Sequence, residues 1–190
     1  MAKMIKGHLK NIENMVQYRT YKGGDFVYQA GEYVVYAGSG LCLVEQVGVP
    51  DFNVGEQNRT YYFLRTTMDR SRIYVPTDTQ LPLRAPMTAE EAEAFLSRAG
   101  EIPVSLPVRR DRKTVVQHYQ NMLSGHTKEG LAQAIKSIRF AHRAAAGRMS
   151  GAEENVLRRA ERQLCSELSG VLNISMEDAG ERLTRALTAQ

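Results

Sequence analysis

Cysteine is scarce: Cys42 and Cys165 are the only two in 190 residues, too few for a disulfide framework or a four-thiolate zinc site. Their scarcity points to a reducing compartment, and both are expected as small buried hydrophobes. Long apolar runs are missing too. None approaches the roughly 20 residues that a membrane span needs, and polar residues interrupt the stretch from Met1 to Lys10 too often for a signal peptide. A cytoplasmic location away from membranes is expected. Charge of one sign is also thin, since 25 Lys and Arg against 21 Asp and Glu leave a formal +4. That excess permits nucleic-acid contact, but solubility alone would account for it. What is present, 43% hydrophobic and 24% charged residues, is globular composition. The length suits one medium domain or two small ones.

Catalytic and metal-binding patterns are absent as well. His8, His118, His126 and His142 have no Cys, Asp or Glu companions at ligand spacing, and the carboxylate nearest to the last three is Glu129. Gly38-Ser39-Gly40 lacks the flanking glycines and lysine of a nucleophile elbow or phosphate loop, and reads as a hairpin turn. No acid pair stands out from the solvated helix charges. A binding protein without catalytic residues, metal or cofactor is therefore expected.

Residues 33 to 83 are written with period two and with turn residues. Strands are predicted over Tyr33 to Tyr36, Leu41 to Val47, Thr60 to Thr66 and Arg72 to Val75, the last stopped by Pro76. Connections this short leave no room for crossover helices, so a small bent sheet or barrel is expected. From Thr88 the period changes to 3.6. Helices are predicted from Thr88 to near Gly100, then over Arg112 to Leu123, Lys128 to Ala146, Gly151 to Leu172 and Met176 to Thr188. Ser150-Gly151-Ala152-Glu153 has the capping-box form. Pro103 and Pro107, two prolines within five residues, make residues 101 to 107 read as an extended linker.

The fold class is thus α+β, a small β-barrel followed by an all-α bundle. The expected division is an N-terminal extension over 1–26, a β-barrel domain over 27–85, a helix and Pro-containing linker over 86–107, and a helical domain over 108–190. For the extension two readings stand side by side. Lys22-Gly23-Gly24 can be encoded by a purine-rich ribosome-binding sequence, which would make Val27 the native start; alternatively, residues 1–26 are a genuine flexible tail.

Charge is unevenly placed. Residues 1 to 100 balance 11 basic against 11 acidic groups, whereas residues 109 to 148 hold nine basic groups against Asp111 and Glu129. Helical geometry puts Lys128, Lys136, Arg139 and Arg143 within a sector of about 80°, on one face beside Leu131, Ile135 and Ile138. Arg109, Arg110, Arg112 and Lys113 sit at the start of the preceding helix, where the macrodipole disfavours cations but exposed amides and guanidinium groups suit phosphate. Arg109, Arg110, Arg112, Lys113, Lys136, Arg139 and Arg143 are the expected DNA-contacting set. A solvated basic face is the plain alternative. Tyr61-Tyr62-Phe63 offers a second one, an RNA- or ribosome-associated protein with a stacking strand, although three consecutive aromatics cannot all face outward.

The chain resembles the CarD family of bacterial transcription regulators. The resemblance is carried by Tyr28 to Tyr36, Gly38 to Val44, Tyr61 to Leu64, Ile73-Tyr74-Val75-Pro76, Leu123-Ser124-Gly125 and Leu164 to Leu168, in that order. It implies a Tudor-like barrel that binds the RNA polymerase β subunit. It also implies a helical domain that touches promoter DNA at the edge of the melted region and modulates open-complex stability. On the barrel, Arg65, Arg72 and Tyr74 are the expected polymerase contacts, with Tyr74 at the place of an arginine used by some members. The tryptophan that many members wedge into the minor groove is replaced by Asp111, and this chain has no tryptophan. Val108 is an apolar group near enough to substitute. The expected partners are the polymerase β subunit and the backbone of promoter DNA, read with low sequence specificity, by a monomeric protein.

Overall fold

A computed structural model describes residues 28–51, 59–108, 111–145 and 149–189. The N-terminal extension and its proposed start at Val27 lie outside the described residues, as do Arg109, Arg110 and Arg148. The chain divides into two compact units, one ending at Ala89 and the other beginning at Glu90.

The first unit is one antiparallel sheet of five strands in the order β4-β3-β2-β1-β5. The strands are β1 (Tyr33–Tyr36), β2 (Gly40–Gly48), β3 (Tyr61–Thr66), β4 (Arg72–Pro76) and β5 (Leu83–Arg84). The β1–β2 turn depends on glycine: Gly38 and Gly40 have φ of 77° and 73°, a region that side chains disfavour, and Ser39 N donates to Tyr36 O at 3.0 Å. Period two then assigns the faces. Val34, Cys42, Val44, Tyr62, Leu64 and Val75 form the core of the sheet's concave side, each 4% exposed or less, with Tyr28, Tyr36, Val47, Ile73 and Leu83 packed around them. Burying each large apolar side chain contributes about 1.5–3 kcal/mol, which gives so short a sheet its stability. Cys42 belongs to this core, and burial pushes its thiol up to about 12. The sheet is a Tudor-like half-barrel, and with the helices that follow it gives the α+β class the sequence predicts.

In the second unit the helices are α1 (Ala89–Arg98), α2 (Arg112–Ser124), α3 (Lys128–Ala145), α4 (Gly151–Leu172) and α5 (Met176–Thr188). Their ends are set by local chemistry. Ser150 with Glu153 and Ser175 with Asp178 form full capping boxes, and Asn173 closes α4 in the left-handed conformation at φ 52°. Between α2 and α3 the left-handed residue is His126 (φ 51°), not Gly125, which is right-handed at φ −76°. Leu131, Ile135 and Ile138 of α3 and Val156, Leu164 and Leu168 of α4 are buried, and α4 packs on α2, α3 and α5. Cys165 on α4 is buried, its thiol pushed up to about 11 by burial. No helix among the described residues is long and apolar enough to cross a membrane.

The segment expected to be a free linker is part of the helical unit. Ser105 N donates to Ser137 Oγ at 2.9 Å, Gln133 Nε2 donates to Pro103 O at 3.3 Å, and His118 Nε2 lies 3.1 Å from Ser105 O. Prolines remove donors, but their carbonyls and the intervening amides still find partners on the helices. The division between compact units accordingly falls near Ala89, ahead of α1, and not at residues 101 to 107.

Candidate functional site

On β2 the alternation breaks. Val44 and Val47 both pack into the sheet core although they are three residues apart, and the β2–β3 register shifts between Val44 and Gln46. A bulge of this kind adds one residue to a strand and changes the face of those that follow, here Val47. The added residue is Glu45. Across β3 and β4 the face opposite the core carries Phe63, Arg65, Arg72 and Tyr74, since Tyr62, Leu64, Ile73 and Val75 occupy the core side.

Glu45 gathers that face. One carboxylate oxygen accepts from Arg65 Nε, and the other accepts from Arg72 Nε at 2.9 Å. Arg65 is the largest influence holding the Glu45 carboxyl below its usual range, and Arg72 adds to it. The Arg72 side chain is hydrogen-bonded to that of Tyr74, whose ring meets Phe63 edge to face at 5.0 Å. The three residues singled out in the sequence, Arg65, Arg72 and Tyr74, therefore come together, along with two that sequence reading missed. Alternation from Val44 already puts Glu45 on this face, and the bulge after it returns Val47 to the core side. Tyr61 and Tyr62 are buried and Phe63 packs on Tyr74, so this strand offers no run of exposed rings for stacking bases.

The site also includes a sheet edge. Thr66 N donates to Ser71 O and Thr77 N donates to Thr60 O, both at 3.0 Å, which fixes the alternation of the β3–β4 ladder. Ser71, Ile73, Val75 and Thr77 turn their main-chain groups toward β3, so those of Arg72, Tyr74 and Pro76 point away from it. β4 is the last strand on that side, and Pro76, which has no N–H to offer, stands where an edge tolerates it.

The basic residues of the helical unit separate into two groups. Lys136 Nζ donates to Gly100 O at 2.6 Å, and Arg139 donates to Thr184 Oγ1 at 2.9 Å and Glu161 at 2.8 Å. These two serve the unit's own packing, contrary to the expectation of one open basic face. The angular argument correctly placed them on one side of α3, but that side lies against the Gly100 turn at one point and against α4 and α5 at the other. Arg112, Lys113 and Arg143 are exposed. Asp111 is the N-cap of α2, accepting from Thr114 N at 3.0 Å, and this bond holds its carboxyl below the usual range. A cap is worth about 0.5–2 kcal/mol, which gives this acid a structural use beside the cations of the first turn. Three residues earlier Val108 is fully exposed at 101%. Among the described residues no three His, Cys, Asp or Glu side chains stand together as a metal site would require.

A bent five-stranded antiparallel sheet, with β4 last in its order among the described residues and a charged, aromatic outer face, is a Tudor-like module. Residues 28–84 match the family model of the CarD-like/TRCF RID domain, and the chain accordingly carries a CarD-like RNA polymerase-interacting domain. The match covers the whole described sheet from Tyr28 to β5. No curated protein matches the chain.

Proposed function

We propose that this protein is a cytoplasmic, non-enzymatic transcription regulator that docks on the RNA polymerase β subunit through its sheet and holds promoter DNA through its helical unit. The observation that carries the reading is the β4 edge, which lies inside the polymerase-interacting domain and is flanked by Arg65, Arg72 and Tyr74. An edge strand gives affinity by main-chain hydrogen bonds to an added strand, while neighbouring side chains set register and selectivity. The helical unit supplies exposed cations at Arg112, Lys113 and Arg143, with Arg109 and Arg110 in the adjoining sequence. These cations are read as backbone contacts, which position a protein on the duplex without reading its sequence. Stabilising an open complex raises output where opening limits initiation and lowers it where promoter escape limits.

A triple Arg112→Ala, Lys113→Ala, Arg143→Ala variant tests the DNA half. If each cation neutralises one phosphate, the slope of log affinity against log salt should fall by up to about 2.7 units. Polymerase binding should be retained, and so should the melting temperature, since exposed charges rarely cost more than about 0.5 kcal/mol each. Filter binding on promoter DNA across a salt series reads the slope. An unchanged slope would assign these cations to solvent alone.

A further inference from the structure

In the β2–β3–β4 ladder, Leu43 stands opposite Arg65 and Arg65 opposite Arg72, so two arginines face each other on neighbouring strands. Like charges in that relation are unfavourable in a sheet. Glu45, which alternation with Val44 puts on this same face, answers this with one carboxylate within reach of both. Glu45 takes Arg65 with one oxygen and Arg72, two strands away, with the other. Its own side chain is only 23% exposed, against 35% for Arg65 and 53% for Arg72. Each guanidinium approaches Glu45 by its Nε, which leaves the Nη ends to point elsewhere. Arg65 Nη1 leans on Arg70 O at 3.4 Å, and Arg72 is steadied by Tyr74.

We infer that Glu45 is a positioning residue of the docking face: it holds the Arg65 and Arg72 guanidinium groups in one fixed arrangement beside the β4 edge, so that a partner strand meets them already ordered. The inference rests on the reading that this face docks on polymerase. Long arginine side chains lose much rotamer freedom when an interface immobilises them, and a counter-charge that fixes them beforehand removes that cost from docking.

The test uses the full chain and purified polymerase β subunit, with affinity and thermal melting measured for each variant. Glu45→Gln keeps the size and hydrogen-bonding capacity of the side chain but removes the counter-charge. It should weaken docking by about tenfold, as expected for releasing two such side chains, with little change in melting. Arg65→Gln with Arg72→Gln should also weaken docking, and adding Glu45→Gln to that pair should cause no further loss. This last result separates positioning from a general structural role, because a structural acid would cost affinity in either background. Glu45→Asp, which keeps the charge with a shorter reach, should fall between wild type and Glu45→Gln, and it serves if the glutamine variant melts early. Wild-type affinity in both Glu45 variants, or an undiminished loss in the arginine-free background, would overturn the inference. If the unaltered chain itself does not bind the β subunit, it is the docking reading that fails.

Discussion

Replacing Tyr74 with proline should reduce binding to the polymerase β subunit by roughly 5- to 150-fold while leaving the sheet folded. The range follows from leaving one main-chain acceptor of the partner unsatisfied in a buried interface, about 1–3 kcal/mol. Ladder alternation turns the Tyr74 N–H away from β3, so the substitution removes an outward donor and leaves the β3–β4 ladder bonds in place. Edge strands tolerate proline in that setting, as Pro76 already demonstrates two residues on. Tyr74→Ala keeps the main-chain donor while losing the same ring and hydroxyl as the proline variant, and should bind within a few-fold of wild type. Isothermal titration with both variants separates strand addition from side-chain contact. Equal binding by Tyr74→Pro and wild type would remove β4 from the interface.

The second large effect is on stability and lies in the helical unit. A Cβ at Gly100 would sit 2.4 Å from Ala189 O and 3.3 Å from Ala186 O, both main-chain atoms at the end of α5 that cannot swing aside. Gly100→Ala must push the 3₁₀ turn Ala99–Glu101 off α5 and pull the Gly100 carbonyl from Lys136. Overpacking of this kind costs about 1–3 kcal/mol, and a unit of this size should melt roughly 4 °C or more lower as a result. Gly180→Ala is the contrast. Its Cβ would meet nothing within 4 Å, in the interior of α5, so the gain in helix propensity should raise stability by about 0.5–1 kcal/mol. Calorimetric melting of the pair should show opposite signs; a tolerated Gly100→Ala would mean that the turn is not held against α5.

Much of the fold could be read from the chain because its local signals agree with its packing. Period two locates β1 to β4, and paired glycines locate the hairpin. The serine caps at 150 and 175 locate α4 and α5 to the residue. β5, only Leu83–Arg84, is too short for any period to register. The prolines at 103 and 107 describe backbone that is extended, but extension does not decide whether a segment is free, and its carbonyls and amides here bond to α2 and α3. The basic stripe failed in a related way. A helical projection states which residues share a face of α3, and says nothing of Gly100, Glu161 and Thr184, which come from far along the chain to meet Lys136 and Arg139. On the sheet, alternation sets Glu45, Arg65, Arg72 and Tyr74 on one face, but it does not tell that one carboxylate reaches both guanidinium groups, which depends on the register of three strands. Asp111 was noticed for its charge, while the N-cap role its residue type also suits went unremarked.

Capture of the polymerase β subunit by separate fragments tests the central claim most directly. Immobilised residues 28–88, which include every strand, should retain the subunit with nearly the affinity of the full chain, and residues 89–190 should retain none above background. Capture by the helical fragment alone, or loss of binding by a sheet fragment whose circular dichroism shows it folded, would contradict the account.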